Sequence, residues 1–154
     1  MKSRLPIAAF AVALSAITAG AVNAAPTGDA CSMLTKEQVG AAIGEPVNEG
    51  IASGTMTCTW SVSKPTANGT KFTTLLVESS ERFEAGKALA STKMKVTTVD
   101  GLGDSAYYVE SAKYVALMVK KGSTAIKVAA YGDAPAEKKQ AMEKTLAQEV
   151  LGKL

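Results

Sequence analysis

Residues 114–131 read YVALMVKKGSTAIKVAAY, and this stretch predicts a β-hairpin. Residues 114–119 are apolar on both faces of an extended strand, which is typical of a central strand covered on each side or lying next to a binding surface. Residues 120–123 (KKGS) then turn the chain. From Ile126 to Tyr131 apolar positions recur at every second residue, the period of a strand. The hairpin therefore indicates an antiparallel sheet as the basis of the fold.

Further strands are predicted before this hairpin in the sequence. From Met56 to Ser63 apolar residues alternate with hydroxyl residues, so that Cys58 and Trp60 point inward together. A loop with Pro65 and an Asn-Gly pair leads from this strand to a second one, and the two form a hairpin. That second strand covers residues 71–78, and two more strands are predicted over residues 96–99 and 106–109.

The first helix is predicted from its start signal. Thr35 can cap it, Gln38 at the third helical position can return the hydrogen bond, and Leu34 can pack onto Val39. Gly44 ends the helix.

Two more helices are predicted further along the chain. Ser80 can cap a helix over residues 81–93 that places Phe83 and Leu89 on one side, although Gly86 is unfavourable in its interior. The last helix opens after Asp133 and Pro135. Its inward stripe consists of Met142, Leu146, Val150 and Leu154.

The order of these elements predicts an α+β fold, an antiparallel sheet with helices packed on one face. Two rounds of helix followed by antiparallel strands suggest a diverged duplication of a unit made of one helix and one β-hairpin. Sequence identity between the two halves is too slight to establish that duplication.

Residues 1–24 predict a cleavable export signal. Lys2 and Arg4 precede an almost continuous apolar run, and small residues lead to a cut after Ala24. The apolar run is shorter than the ~20 residues of a spanning helix, which disfavours a retained membrane anchor. A lipid anchor on Cys31 is also disfavoured, since the residues before it are polar. Residues 25–154 then form a single α+β domain, periplasmic or secreted, with no stable membrane insertion after cleavage.

Charge excludes one class of partner. Lys2 and Arg4 are lost with the signal, so the formal net charge falls from +3 to +1. No basic footprint for nucleic acid remains.

The two cysteines, Cys31 and Cys58, predict one disulfide, because an even count in an oxidising compartment favours pairing. A bridge closing a loop of this length contributes roughly 3 to 4 kcal/mol in the chain-entropy model. The alternative of a redox pair lacks the close Cys-x-x-Cys spacing.

Four short motifs are spread over residues 31–107, namely Cys31-Ser-Met-Leu-Thr35, Ile43-Gly-Glu-Pro46, Cys58-Thr-Trp60 and Gly101-Leu-Gly-Asp-Ser-Ala-Tyr107. With these motifs the chain resembles the small exported proteins and lipoproteins of unknown function found in actinobacteria and some proteobacteria. The resemblance implies a two-layer α+β domain with a disulfide and no established activity, and it transfers no functional residues.

The chain contains no histidine, which removes a Ser-His-Asp triad, an imidazole base and histidine-ligated metal sites. We therefore expect no catalytic residues, no metal and no cofactor. Ser61-Val-Ser-Lys64 has the Ser-x-x-Lys spacing of penicillin-recognising enzymes, but residues three apart on a strand face opposite sides. Residues 100–104 (DGLGD) fit neither a phosphate loop nor a calcium loop, and a turn with glycines at positive φ is the favoured interpretation.

Aromatic residues supply the remaining candidate contacts. Tyr107 and Tyr108 are adjacent on a strand, so one faces inward and the other outward, and Tyr131 shares a face with Lys127. A tyrosine beside lysines can contact a protein or glycan partner. Tyr108, Tyr131 and Lys127 are therefore the candidate contact residues, although such tyrosines also commonly cover a sheet edge.

Three functions follow as hypotheses. The favoured one is a non-catalytic binding module of the cell envelope that engages an envelope protein or a small ligand through the open sheet face. The alternative is an inhibitor of an exported hydrolase, a protease or a lysozyme. The third, an enzyme that uses carboxylates alone, draws on Glu78, Glu110 or Asp104.

Overall fold

The computed structural model describes residues 29–64, 71–111 and 114–154. The predicted export signal, residues 1–24, and the Asn-Gly turn of the predicted first hairpin lie outside the described residues. None of the helices within these ranges is long and apolar enough to cross a membrane.

Three helices and seven strands follow one another along the described chain. The helices are α1 (Lys36–Ile43), α2 (Ser80–Ala90) and α3 (Ala136–Leu151), preceded by a 3-10 turn at Ala30–Ser32. The strands are β1 (Ile51–Ser53), β2 (Thr57–Ser61), β3 (Phe72–Ser79), β4 (Lys95–Val99), β5 (Ser105–Glu110), β6 (Tyr114–Lys121) and β7 (Thr124–Tyr131).

All seven strands belong to one antiparallel sheet in the order β1-β2-β3-β7-β6-β5-β4. The predicted hairpin of β6 and β7 is confirmed, with Tyr114 opposite Tyr131 and Lys121 opposite Thr124. The predicted pairing of β2 with β3 is confirmed as well. The centre of the sheet is the pairing of β3 with β7, which joins a meander of β1 to β3 to a meander of β4 to β7.

One face of the sheet, here the α1/α3 face, carries the larger core. Its residues come from both meanders and pack with α1 and α3, whose Val39, Leu146 and Val150 are fully buried. Gln38 on α1 donates to Glu149 on α3 at 2.7 Å, which links the two helices at the surface. The sheet residues of this core include Trp60, Leu75, Leu117, Val119, Ile126 and Val128.

The α+β class with an antiparallel sheet and helices packed on one face is confirmed, and α1 and α3 are the helices that share this face. The structure adds that α2 packs against the opposite face, here the α2 face. Phe83 of α2 clusters there with Tyr107, Val109 and Met118, whereas Ala106 of β5 belongs to the core of the α1/α3 face, as strand alternation requires. The helices that lead the two meanders thus cover different faces, and the duplication stays a prediction.

The predicted disulfide is confirmed between Cys31 and Cys58, with 4.9 Å between their Cα atoms. It fastens the 3-10 turn before α1 to β2. The backbone N–H of Ala30 donates to the carbonyl of Thr55 at 2.9 Å and holds the same turn to the end of the β1–β2 hairpin. A disulfide is compatible with an oxidising compartment outside the cytoplasm.

The helix ends were predicted with mixed success. Thr35 and Gln38 form the predicted capping box, and Gly44 ends α1 in the left-handed conformation at φ 80°. The prediction for α2 was wrong at its start, because Ser80 is its first helical residue and Ser79 at the cap makes no side-chain capping bond. Leu89 was also misplaced, since 66% of it is exposed.

The loop at residues 100–104 is the turn that the sequence indicates. Gly101 and Gly103 adopt φ of 72° and 60°, and the backbone N–H of Asp104 donates to the carbonyl of Lys120 at 2.8 Å. The Asp104 carboxylate accepts from the backbone N–H of Gly122 at 2.7 Å. The loop therefore braces the β6–β7 turn, and these hydrogen bonds give Asp104 a structural role.

Replacing each of the two glycines in turn separates the cost of a positive φ from the cost of a steric clash. Gly101→Ala meets open space and carries only the cost of positive φ, about 1 to 2 kcal/mol of unfolding free energy. Gly103→Ala carries the same cost and also places a Cβ 2.5 Å from the Lys120 carbonyl oxygen, so we expect it to be clearly more destabilising. Urea denaturation of both variants measures the difference. Equal losses of stability would contradict the close approach.

Candidate functional site

A groove on the α2 face is the candidate site. It lies between α2 and the sheet and encloses about 240 Å³. We call it the α2 groove. Ligand sites in proteins are concave, mostly apolar and furnished with a few polar groups, and this groove has that composition. It is lined by Leu76, Glu78, Arg82, Gly86, Ala90, Met94, Tyr107, Val109, Tyr114, Ala116, Met118 and Lys127.

Small residues create the concavity. Gly86 and Ala90 face the sheet from α2, and Ala116 lies on β6 opposite Val109 of β5. A Cβ on Gly86 would lie 3.4 Å from the hydroxyl oxygen of Tyr107, an ordinary contact distance, so a Cβ fits here without a clash. The groove exists because positions 86 and 116 carry little or no side chain above a floor of larger apolar residues.

Three charged residues lie along the groove, namely Glu78 on β3, Arg82 on α2 and Lys127 on β7. Burial raises the pKa of the Glu78 carboxyl, and the positive charges of Arg82 and Lys127 partly oppose that rise. None of the ion pairs found within the described ranges involves these three residues. The Lys127 ammonium lies 5.8 Å from the centre of the Tyr114 ring. The groove thus carries two cations and one carboxylate.

Tyr107 forms the rigid part of the floor. Its hydroxyl donates to the carbonyl of Phe83 at 3.2 Å, and the two rings meet edge to face with centroids 4.9 Å apart. Burial raises the pKa of Tyr107 to about 12, with smaller contributions from Glu78 and Glu84, so the phenol stays neutral in the physiological range. Tyr107 therefore anchors α2 to the sheet rather than offering a reactive hydroxyl.

A row of three aromatic rings runs across the sheet beside the groove. Phe72 stacks on Tyr131 with centroids 4.2 Å apart, and Tyr131 stacks on Tyr114 at 5.4 Å. All three residues share one register position across β3, β7 and β6. The ring of Tyr131 thus stacks on both neighbours, and Phe72 and Tyr114 each use one ring face for this contact. The row is better suited to holding the strands together than to stacking on a flat sugar ring.

The candidate contacts from the sequence fall on both faces. Lys127 lines the α2 groove, and Tyr131 lies beside it on the same face, as expected from their alternation. Tyr108 is not on an accessible surface. Only 8% of it is exposed, because β5 turns it under α3, where its hydroxyl donates to the carbonyl of Gln140 at 2.9 Å. The expectation that one of the adjacent tyrosines faces outward was wrong, since both sheet faces are covered at this strand.

The carboxylates named for an enzyme do not come together. Glu78 faces the α2 groove, whereas Glu110 lies on the α1/α3 face and accepts from Gln140 at 2.7 Å. Asp104 is engaged in its loop. Ser61 lies at the end of β2, where its hydroxyl accepts from Asn48 at 3.2 Å. No group of three or more potential metal-binding side chains occurs in the described part of the chain.

The β1–β2 hairpin at the edge of the sheet, here the edge hairpin, presents two large apolar residues to solvent. Ile51 on β1 is 69% exposed and Met56 before β2 is 50% exposed, whereas most large apolar side chains of the described chain are at least partly covered. The disulfide at Cys58 backs this edge on the α1/α3 face. The edge is thus a firmly held surface with two protruding apolar side chains.

Glu143 on α3 is a buried acid that the sequence analysis did not identify. It is 0% exposed, and its Oε1 accepts from the backbone N–H of Ala130 at 2.9 Å. Its Oε2 has no hydrogen-bond partner among the described residues. Burial raises the pKa of Glu143 to about 8, against the lowering effects of the Ala130 N–H and of Lys139. The side chain is therefore mostly protonated at neutral pH.

This shifted pKa makes stability depend on pH. In the unfolded chain Glu143 loses its proton near pH 4.5, whereas in the folded protein it does so near pH 8. Between these values the unfolded state binds fewer protons, so the free energy of unfolding falls as pH rises. The stabilisation that the protonated Glu143 provides is fully present below pH ~4.5 and is lost by pH ~8. The free energy of unfolding falls by roughly 3 to 5 kcal/mol over this range.

Glu143→Gln removes the titration and should be more stable than the parent at pH 8 but of similar stability at pH 4.5. Urea denaturation across that window measures the effect. Glu137→Gln, an exposed carboxyl on the same helix, serves as the control and should leave the slope unchanged. The assignment fails if Glu143→Gln keeps the parent's pH dependence.

Comparison with known proteins supplies no relative from which residue functions could be transferred. A scan against protein-family models, a search of curated proteins and a search of solved structures each found no match. The resemblance to small exported bacterial proteins stays a prediction. The α2 groove, with its geometry and its charged residues, is therefore the feature of the described chain that bears most on function.

Proposed function

We propose that this protein is a non-catalytic binding module of the bacterial cell envelope that recognises a small ligand in the α2 groove. The observation that supports the proposal most is the groove itself, a concave apolar surface with three charged groups that form no ion pair within the described ranges. Of the two partner types considered from the sequence, a concave site favours a small ligand over a protein. The predicted export signal, residues 1–24, and the disulfide support a periplasmic or secreted location.

The arrangement of polar groups supports binding rather than chemistry. Tyr107 keeps its proton and is committed to the Phe83 carbonyl. Glu78 has no second carboxylate beside it in the groove, since Glu110 faces the other side of the sheet. The groups that remain, Arg82 and Lys127, are cations that orient a ligand by charge.

The second candidate function is inhibition of an exported hydrolase, and the exposed edge hairpin favours it. Ile51 and Met56 protrude from a segment held by the disulfide, and inhibitors act through such rigid, protruding apolar residues. Direct inhibition assays against exported proteases and lysozymes separate this function from ligand binding. Inhibition that Ile51→Ala and Met56→Ala weaken would favour it over the groove.

Filling the groove from α2 tests the main proposal. Gly86→Leu places a side chain above Tyr107 without a backbone clash, and Leu has a higher helix propensity than Gly by about 0.5 to 1 kcal/mol. We expect a variant that is at least as stable as the parent but no longer binds ligand. Ala85→Leu adds the same bulk on the exposed side of α2 and is the matched control.

The measurement is thermal shift against a panel of small envelope compounds that includes fatty acids, amines, sugars and amino acids. At least one compound should raise the Tm of the parent and of Ala85→Leu in a saturable way, and should leave the Tm of Gly86→Leu unchanged. A panel without any such compound, or a ligand that stabilises Gly86→Leu equally, would refute the proposal.

A further inference from the structure

We infer that the ligand of the α2 groove is a small amphipathic carboxylate, with an apolar body of on the order of ten non-hydrogen atoms and one anionic head. The inference rests on the proposed binding function and names the ligand class. It is carried by the charge arrangement around the groove and by the size and chemistry of its floor.

The charges in the groove favour an anion. Arg82 and Lys127 come from different elements and face a single carboxylate, Glu78, so the groove carries an excess of one positive charge at neutral pH. The neighbouring Lys120 is already paired with Glu84 at 2.8 Å. Lys87 lies over the Tyr107 ring, 5.6 Å from its centre, and its charge acts on Glu84 as that of Lys120 does, so the excess comes from Arg82 and Lys127.

Arg82 is the best placed group to hold the head. It is exposed on α2 while its side chain lines the groove, and a guanidinium binds a carboxylate through two parallel hydrogen bonds. Lys127 on the sheet side can contribute as a point charge, because none of the ion pairs within the described ranges involves it and its ammonium lies beside the Tyr114 ring. Glu78 repels the same head, so removing its charge should strengthen binding.

The floor fits a short apolar body. Leu76, Met94 and Met118 line it, and methionine side chains adapt to flexible apolar ligands. A volume of about 240 Å³ corresponds to about eight water molecules at ~30 Å³ each, or on the order of ten non-hydrogen atoms. Octanoate has this size and a single carboxylate, which makes it a suitable probe.

Isothermal titration calorimetry with octanoate, octanol and octylammonium tests the head-group preference. Octanoate should bind the parent at least about tenfold more tightly than octylammonium, as expected for one favourable charged contact. Gly86→Leu should abolish octanoate binding. Octylammonium or octanol binding as tightly as octanoate would overturn the ligand class, as would a lack of octanoate binding.

Three single charge changes then locate the head group. Arg82→Gln should weaken octanoate binding by about tenfold, and Glu78→Gln should strengthen it. Lys144→Gln removes a positive charge from an exposed position of α3 and should have no effect. Equal affinities for Arg82→Gln and the parent would overturn the assignment of the head group.

The two failures can be told apart. If neutral or cationic compounds bind and Gly86→Leu blocks them, the binding function stands and the carboxylate class is wrong. If compounds of every charge bind equally to the parent and to Gly86→Leu, the α2 groove is not the site and the proposed function fails with it.

Discussion

The pairing of β3 with β7 is the constraint on which the rest of the structure depends. It joins two meanders that are each formed locally, through eight residue pairs from Phe72–Tyr131 to Ser79–Thr124. Contacts so far apart in sequence carry a loop-closure cost, which burial must offset. Both hydrophobic clusters and the α2 groove draw residues from β7 or its neighbours, so neither the core nor the candidate site is complete before this junction forms.

The two faces of the sheet are covered to different extents, and the site follows from that difference. On the α1/α3 face two helices and the disulfide-linked turn complete a core that includes Trp60 and Leu117. On the α2 face a single helix of 11 residues covers only part of the sheet. The strip between α2 and the aromatic row remains accessible, and small residues at positions 86 and 116 deepen it into the α2 groove.

Much of the fold could be predicted from local patterns, because alternation, turn residues and capping residues act over a few positions. The hairpin of β6 and β7, the capping box at Thr35, the α3 stripe and the disulfide all follow from such signals. The face that α2 covers could not be predicted, since periodicity shows which side of a helix is apolar but not which side of a sheet receives it. The placement of Leu89 was wrong because the apolar stripe of α2 is weak, so the sequence pattern did not show clearly which side of the helix faces the sheet.

The candidate site was harder to predict than the fold. Lys127 and Tyr131 were identified through their shared face. Tyr108, the third candidate, is buried under α3. Arg82 and Ala116 line the groove but gave no sequence signal. Gly86 was the one available hint, because a glycine inside a helix often marks a close approach or a space. Glu143 was missed because an acidic residue within a helical stripe resembles a solvated position until α3 is packed onto β7.

The aromatic row of Phe72, Tyr131 and Tyr114 also bears on how the correct junction is selected. A strand that slips by one residue turns its apolar side chains to the wrong face, but a slip by two preserves inside and outside and is penalised less. On β7 small residues occupy many positions, so such a misaligned pairing would meet little steric resistance there. Three rings stacked at one register position match only when all three strands are aligned, so they discriminate against the two-residue slip that hydrophobic alternation tolerates.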